Sequence, residues 1–244
     1  MQSSVDYNIT DNPDFERGEI LLFDKPYHWS SFDVVNKVRI SIKHYCHKKI
    51  KVGHAGTLDP LATGLVIDCT GAYTKRIEEV QGEDKEYTGT FTLGATRPSF
   101  DKESEIDNVF DYSHVTSDDI IKTASEFVGE QMQVPPVFSA IKIEGVRVYK
   151  FARSNDAEIE KRMQPRRIRI NEFEITGINL PDVNFRILCS KGTYIRSLAR
   201  DFGQKLGCGA YLEELRRTAI GKFRVEDAYD VFEFDEILNS KNNS

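Results

Sequence analysis

Apolar residues fall in short blocks along this chain, and changes in their spacing mark out the elements. Ile20-Leu21-Leu22-Phe23 is an apolar run closed by Asp24-Lys25-Pro26, the form of a short strand. Ser30 and Ser31 then offer an N-cap, and Phe32, Val35, Val38 and Ile42 follow at near-helical spacing, which predicts a helix. Leu65-Val66-Ile67 predicts another strand, and Ala72 to Gln81 reads as a helix. From Tyr87 to Leu93 the pattern alternates, with Tyr87, Gly89, Phe91 and Leu93 on one side and three threonines on the other, a half-exposed strand. Ser117 is placed to cap a helix with Ile120, Ile121, Ala124, Phe127 and Val128 as its buried stripe, and Pro135-Pro136 breaks the pattern. Phe138 to Ile143, Ile168 to Ile178 and Val183 to Cys189 read as strands, the last two joined across Asn179-Leu180-Pro181-Asp182. Thr193 to Leu206 reads as a helix ended by Gly207-Cys208-Gly209.

Strands and helices interleave irregularly and strands come in adjacent pairs. That order predicts an α+β fold with a mixed, largely antiparallel sheet flanked by helices, rather than a doubly wound one. Residues 1–17 have no hydrophobic period and read as a flexible arm; 18–238 are expected to form a single domain and 239–244 a tail. Neither an internal repeat nor a Pro/Gly/Ser-rich linker divides the chain.

Composition narrows the class. Of 244 residues, 39% are hydrophobic and 11% aromatic, enough for a core and too much for a disordered chain. No apolar run approaches the ~20 residues of a membrane span, and the polar start carries no signal-peptide pattern. Cys46, Cys69, Cys189 and Cys208 are far apart with no CxxC, so a reduced, cytoplasmic protein is expected. His44, Cys46 and His47 cluster, yet no second group completes a four-ligand set, and no metal is expected.

The formal charge of −6 argues, taken alone, against a nucleic-acid partner. Its distribution argues otherwise. Val34 to Leu58 holds six bases and no acid, Lys142 to Arg169 nine bases against four acids, and Lys191 to Arg224 eight against three. Asp101 to Glu130 holds nine acids and two bases, and Glu226 to Glu236 six acids and no base. A basic face with the two acidic stretches turned away from it is the expectation, although such blocks are also what ordinary solvated faces look like.

Three segments could carry chemistry. GHAGTLDPLATGL, residues 53–65, packs three glycines around Asp59, which precedes a proline, and His54. This is a tight loop that brings a carboxylate and an imidazole close to a ligand. It lacks the GK[ST] of a phosphate loop, and its local pattern also fits a turn-capping Asp59 and a surface His54. SKGTYIRSLARDFG, residues 190–203, sets Tyr194 and Arg196 at a helix start, where a guanidinium could orient a buried carboxylate. Lys85-Glu86-Tyr87 sets a tyrosine at a strand start, suited to stacking on a base or to ordinary packing. No GxSxG or Ser/His/Asp order supports a hydrolase.

Taken in order, these segments resemble the TruB family of tRNA pseudouridine synthases. LLFDKPYHWSSFDVV (21–35) is similar to the family's opening motif and GHAGTLDPLATGLV (53–66) to its catalytic loop. KEYTGTFTLG (85–94), VPPVFSAIKIEGVRVYKFAR (134–153) and the segment 190–223 complete the likeness, which runs from residue 18 to about 225. The resemblance implies the pseudouridine-synthase catalytic fold, with Asp59 as nucleophile and His54 displacing and replacing a flipped uridine. It implies Tyr87 stacked on the uracil, Tyr194 taking the C5 proton, Arg196 paired with Asp59, and Leu215 closing the pocket. Lys25 and Pro26 are implied as support beneath the site, and Asp101 stands where the family has an acid, though its surroundings, ATRPSFDKES, depart from the family pattern. The segment 40–51 is also longer and more basic than usual, and with Ser244 as last residue no PUA-type RNA-binding domain is expected.

By this resemblance the chain is expected to be an isomerase acting on uridine 55 in the T-loop of tRNA. It is expected to work without cofactor, metal, guide RNA or membrane, and as a monomer. A non-catalytic tRNA-binding or folding chaperone of the same fold is the alternative, against which an intact Asp59, Tyr194 and Arg196 argue.

Overall fold

The computed structural model describes residues 13–137, 142–143, 146–147 and 163–242. Fourteen strands and five helices follow one another in these residues. They begin β1 (Ile20–Lys25), α1 (Ser31–Cys46), β2 (Val52–His54), β3 (Thr63–Thr70), α2 (Ile77–Gly82) and β4 (Lys85–Leu93). Next come β5 (Ala95–Thr96), β6 (Asn108–Val109), α3 (Ser117–Glu126), β7 (Gly129–Gln133), β8 (Lys142–Ile143), β9 (Val146–Arg147), β10 (Arg166–Asn179) and β11 (Asp182–Cys189). The series closes with α4 (Ile195–Leu206), β12 (Ala210–Ile220), β13 (Phe223–Arg224), β14 (Tyr229–Asp230) and α5 (Glu233–Asn242). This is an α+β fold with a mixed sheet. Among the described residues no helix is long and apolar enough to cross a membrane.

The chain condenses into two compact units, one made of the residues up to Tyr87 and from Arg216 onward, the other of Thr88–Leu215. In the first, β1 lies between β14 (parallel) and β3 (antiparallel), β2 pairs antiparallel with Asp68 to Thr70 on the other edge of β3, and Arg216-Arg217 of β12 run parallel to Thr63-Gly64. Strand alternation sorts the core: Leu22, Leu65 and Ile67 join Val80, Ile220, Phe223 and Val225 in one cluster. Phe23, pointing the opposite way, meets Phe234 of α5 edge-on at 5.0 Å between ring centres. Ser30 caps α1 in a capping box with Asp33.

In the second unit β10 pairs antiparallel with β11 on one side and β7 on the other. Five phenylalanines, Phe91, Phe127, Phe173, Phe185 and Phe202, fill its core from three strands and two helical segments, with Phe91 and Phe185 4.3 Å apart. Gly89 is required there, because a Cβ would lie 2.2 Å from the carbonyl oxygen of Glu214.

Several expectations need correction. Thr116, not Ser117, caps α3, since its hydroxyl accepts from the Asp119 amide and Asp119 answers. Ile121 and Val128 are exposed, so the buried stripe is narrower than the spacing suggested, and Phe32 of α1 faces outward as well. Ala72 to Gln81 divides into a 3-10 turn, Gly71–Arg76, and the short α2. Within the expected arm, residues 13–17 are held, with Phe15 buried edge-on against Tyr45, and at the other end α5 continues through the expected tail to Asn242. Residues 1–12 of that arm lie outside the described residues, as do 138–141 of the expected strand and most of the basic segment between Ile143 and Met163. Strand β12, the longest after β10, has no counterpart in the sequence expectation.

The charge expectation is also corrected. Lys37 of the first basic segment pairs with Asp235 at 2.8 Å, Lys205 with Glu126 at 2.6 Å, Arg167 with Glu130 at 3.6 Å, and Arg196 with Asp101 at 3.5 Å. Blocks of opposite sign that are far apart in sequence are thus brought together by folding; only the Arg196–Asp101 pair is buried, and the other three lie at the surface, where water screens them. The acidic stretches neutralise part of the basic ones instead of standing apart from them.

One residue sits in the core against its chemistry. Asp68 of β3 is fully buried, and neither carboxyl oxygen has a hydrogen-bond partner among the described residues. Burial pushes its carboxyl up to about 8, only partly offset by the Arg39 guanidinium. The unfolded chain releases this proton near 3.8, so between that value and about 8 the folded state binds one proton more and loses stability as pH rises. Asp68→Val should flatten this pH dependence and raise stability at pH 8 by several kcal/mol, roughly 1.4 kcal/mol per unit of pKa shift. Urea unfolding at a series of pH values measures both effects.

Candidate active site

His54 ends β2, and the loop that follows carries Asp59 and is fixed from beneath by three buried polar side chains. Arg217 of β12, 1% exposed, donates from Nε to the Leu65 carbonyl at 2.7 Å, and from its two terminal nitrogens to Thr57 at 3.3 Å and Gly56 at 3.2 Å. Lys25, at the end of β1 and fully buried, donates to the carbonyls of Trp29 at 2.6 Å, Pro26 at 3.0 Å and Pro60 at 3.5 Å. Ser31, the first residue of α1, exchanges hydrogen bonds with Leu58, accepting from its amide at 2.8 Å and donating to its carbonyl at 3.2 Å. The loop also closes on itself, the Ala62 amide donating to the Asp59 carbonyl at 3.0 Å.

The sequence makes this arrangement possible at Gly64. Its φ of +106° is one that L side chains rarely adopt, and a Cβ would lie 2.3 Å from the Arg217 carbonyl oxygen. Close backbone approach of β3 and β12 is what lets Arg217 reach back under the loop.

Electrostatics follow from this packing. Burial lowers Lys25 to about 8; the Asp59 carboxylate works against that shift and the Arg217 guanidinium adds to it. Lys25 therefore ties its supporting carbonyls to the charge of Asp59 itself. Burial also lowers the His54 imidazole, opposed by the backbone of Gly56 and aided by Arg217, so the ring is neutral near pH 7. Asp59 is half-buried on this hydrogen-bonded loop. Tyr87, on β4 of the same unit, is buried; beside it Glu86 accepts from the Thr218 hydroxyl at 2.7 Å.

The second unit holds Asp101, Tyr194, Arg196 and Leu215. Tyr194 stands at the N-cap of α4, and the Gln133 side-chain amide grips its backbone from both sides, accepting from its N–H at 2.8 Å and donating to its carbonyl at 3.1 Å. One turn on, the Ser197 hydroxyl donates to the Val134 carbonyl at 2.8 Å, so the start of α4 is stitched to the end of β7. Arg196 and Asp101 are both buried and 3.5 Å apart. Asp101 is held by a parallel bridge to Leu212 and accepts from the Glu103 amide at 3.0 Å. Leu215, buried, lies on β12.

The structure therefore brings Lys25, Pro26 and Asp59 together in one unit, and Asp101 with Arg196 in the other. Three supporting residues escaped the sequence expectation: Arg217, Gln133 and, except as an alternative cap, Ser31. Arg217 did leave a signal, since Leu215, Arg217 and Ala219 alternate as inward positions and only one is charged. Gln133 left none. Among the described residues no cluster of His, Cys, Asp and Glu could hold a metal ion, and none of the four cysteines forms a disulfide.

Replacing Arg217 tests the loop's support directly. Arg217→Met leaves the carbonyls of Gly56, Thr57 and Leu65 without their donor; an unmade buried hydrogen bond costs ~1–3 kcal/mol. Thermal unfolding should show a stability loss of about 2–4 kcal/mol. Amide exchange should accelerate at Gly56 to Leu58 and stay unchanged in β10 and β11.

Comparison with known proteins matches residues 43–195 to the N-terminal domain of the TruB family pseudouridylate synthases and residues 196–243 to the tRNA pseudouridylate synthase B C-terminal domain. A protein of Flavobacterium johnsoniae named tRNA pseudouridine synthase B is 53% identical over 92% of this chain and 98% of its own length. One of the same name from Phocaeicola vulgatus is 50% identical over 93% of this chain and 96% of its own. Among solved structures, the archaeal box H/ACA sRNP Nop10-Cbf5 complex contains a chain 26% identical, with a TM-score of 0.65, the match covering 94% of this chain and 57% of that one. A Cbf5-Nop10-Gar1 complex matches at 28% identity and a TM-score of 0.67, over 95% of this chain and 61% of the other. With both domain profiles filled in order and half of all residues shared with relatives along nearly their whole length, the chain belongs to the TruB family of pseudouridylate synthases.

Proposed function

We propose that this enzyme isomerises uridine to pseudouridine at position 55 in the T-loop of tRNA, with Asp59 as nucleophile. The observation that carries the reading is the Asp59 loop, which sets a half-buried aspartate on backbone fixed by Lys25, Ser31 and Arg217. Such fixing is what a reaction with a single short-lived geometry requires. Support for tRNA as substrate comes from the relatives named tRNA pseudouridine synthase B.

The chemistry breaks the N1–C1′ bond of uridine, joins C1′ to C5 and moves the C5 proton away, with no net electron transfer. It calls for an ionised carboxylate, acting at C1′ or C6 of the base or as acceptor of the C2′ proton, and for a group that accepts the C5 proton. Asp59 takes the first task and Tyr194 the second, Gln133 holding the backbone from which the tyrosine side chain projects. Arg196 supplies a permanent positive charge and Asp101 keeps its guanidinium in place, acting through Arg196 and not on the base. The target must leave the stack before any of these groups reach it. His54, neutral near pH 7, takes the space vacated by the base; Tyr87 stacks on the uracil and Leu215 closes the apolar wall. Lys25 and Pro26 support the loop from below. We further propose that the enzyme works in the cytoplasm, as a monomer and without guide RNA.

Asp59→Asn should lower turnover on tRNA transcript by on the order of 10⁴-fold or more, the scale seen when a covalent nucleophile is removed. Binding of the same transcript should stay within a few-fold of the unaltered enzyme. Mapping of pseudouridine in the product RNA, with no guide RNA added, reads the first; filter binding reads the second. Modification that survives this substitution removes Asp59 from the mechanism, and binding without modification by the unaltered enzyme favours the chaperone reading.

A further inference from the structure

The segment Tyr27-His28-Trp29, between β1 and α1, has no task in the isomerisation, yet it concentrates rings at the surface. Tyr27 is 41% exposed, His28 is exposed too, and their ring centres are 4.2 Å apart. Trp29 meets Phe232, itself 54% exposed, edge-on at 5.2 Å. Phe32 projects from the first turn of α1 with the Arg39 guanidinium 5.9 Å from its ring centre.

Two details set this segment apart from a chance display of aromatics. First, His28 has a φ of +67°, a left-handed conformation that a glycine would adopt without strain. The chain keeps an imidazole where glycine would fit with less strain. Second, the segment is attached to the Asp59 loop. The His28 amide donates to the Pro60 carbonyl at 2.9 Å, the same oxygen that Lys25 approaches, and Pro60 is the residue after Asp59. Strained backbone, exposed flat rings and direct coupling to the loop of the nucleophile coincide.

We propose that Tyr27 and His28 form a stacking platform for an unpaired base adjacent to the target uridine, a specificity element for the RNA substrate; this rests on the function proposed above. A flat π surface is the natural partner of such rings, because every base has a face to offer, whereas a protein partner would want a broad apolar patch. The charge nearby suits an RNA strand: with Lys37 taken up by Asp235, α1 still carries Arg39 and Lys43 against a single acid, Asp33. Extruding the uridine breaks its stacking on its neighbour, and a platform beside the loop would replace that lost contact on the neighbour's side.

His28→Gly and Tyr27→Ala test this on tRNA T-arm stem-loops, one set intact and one with an abasic residue on either side of the target. His28→Gly relieves the backbone strain and should raise the melting temperature. It should nonetheless raise KM roughly ten- to hundred-fold with kcat unchanged, the scale of one lost base–aromatic stack. Tyr27→Ala should act in the same direction. An abasic residue at one of the two neighbouring positions should raise KM for the unaltered enzyme by a similar factor and make it insensitive to either substitution. KM values within two-fold of the unaltered enzyme for both variants overturn the platform, as does a KM increase that persists on every abasic substrate. If the unaltered enzyme makes no pseudouridine in the intact stem-loop, the underlying function fails and the platform fails with it.

Discussion

Two cations buried beneath a loop of carbonyl oxygens hold the first unit to its purpose. Arg217 and Lys25 are almost wholly removed from water, and both direct their donors at backbone: Gly56, Thr57 and Leu65 for one, Pro26, Trp29 and Pro60 for the other. Charged groups incur a large desolvation cost in such positions, and only a full set of hydrogen bonds offsets it. The geometry around them is correspondingly constrained. Gly64 must lack a side chain, β12 must run parallel to the start of β3, and α1 must begin where the Ser31 hydroxyl reaches Leu58. The result is a carboxylate, Asp59, on backbone that has little freedom left.

The second unit achieves the same end with less charge. Its aromatic core fixes β10, β11 and α4 relative to one another, and a single neutral amide, Gln133, then sets the backbone of Tyr194. Arg196 is not left to water either; it meets Asp101 in a buried pair. In both units the residues with a role in the proposed chemistry lie on elements whose termini are tied by side-chain-to-backbone hydrogen bonds. That form of support restrains position without adding reactive groups.

Net charge is a poor guide to such a molecule. A total of −6 conceals three basic segments, and folding then joins each of them to an acidic stretch through a specific pair. What remains for an RNA backbone is the set of bases left over after these pairings, a smaller and more local field than the linear count suggested.

The sequence by itself determined the local structure and the presence of a reactive loop. Alternation set β4, apolar runs marked β10 and β11, Ser30 and Gly207 punctuated their helices, and the glycines around Asp59 marked the loop, while its support by Lys25-Pro26 was implied only by the family resemblance. The local signals among these act over a few residues, so they can be read directly. Only tertiary structure decided which side chains hold the site. Arg217 binds a carbonyl 161 residues away, Gln133 a backbone 61 residues away, and Asp101 finds Arg196 across the second unit. No local period encodes such partners, because the energy that selects them comes from burial: a polar group forced into the interior must find its hydrogen bonds wherever the packed chain places them.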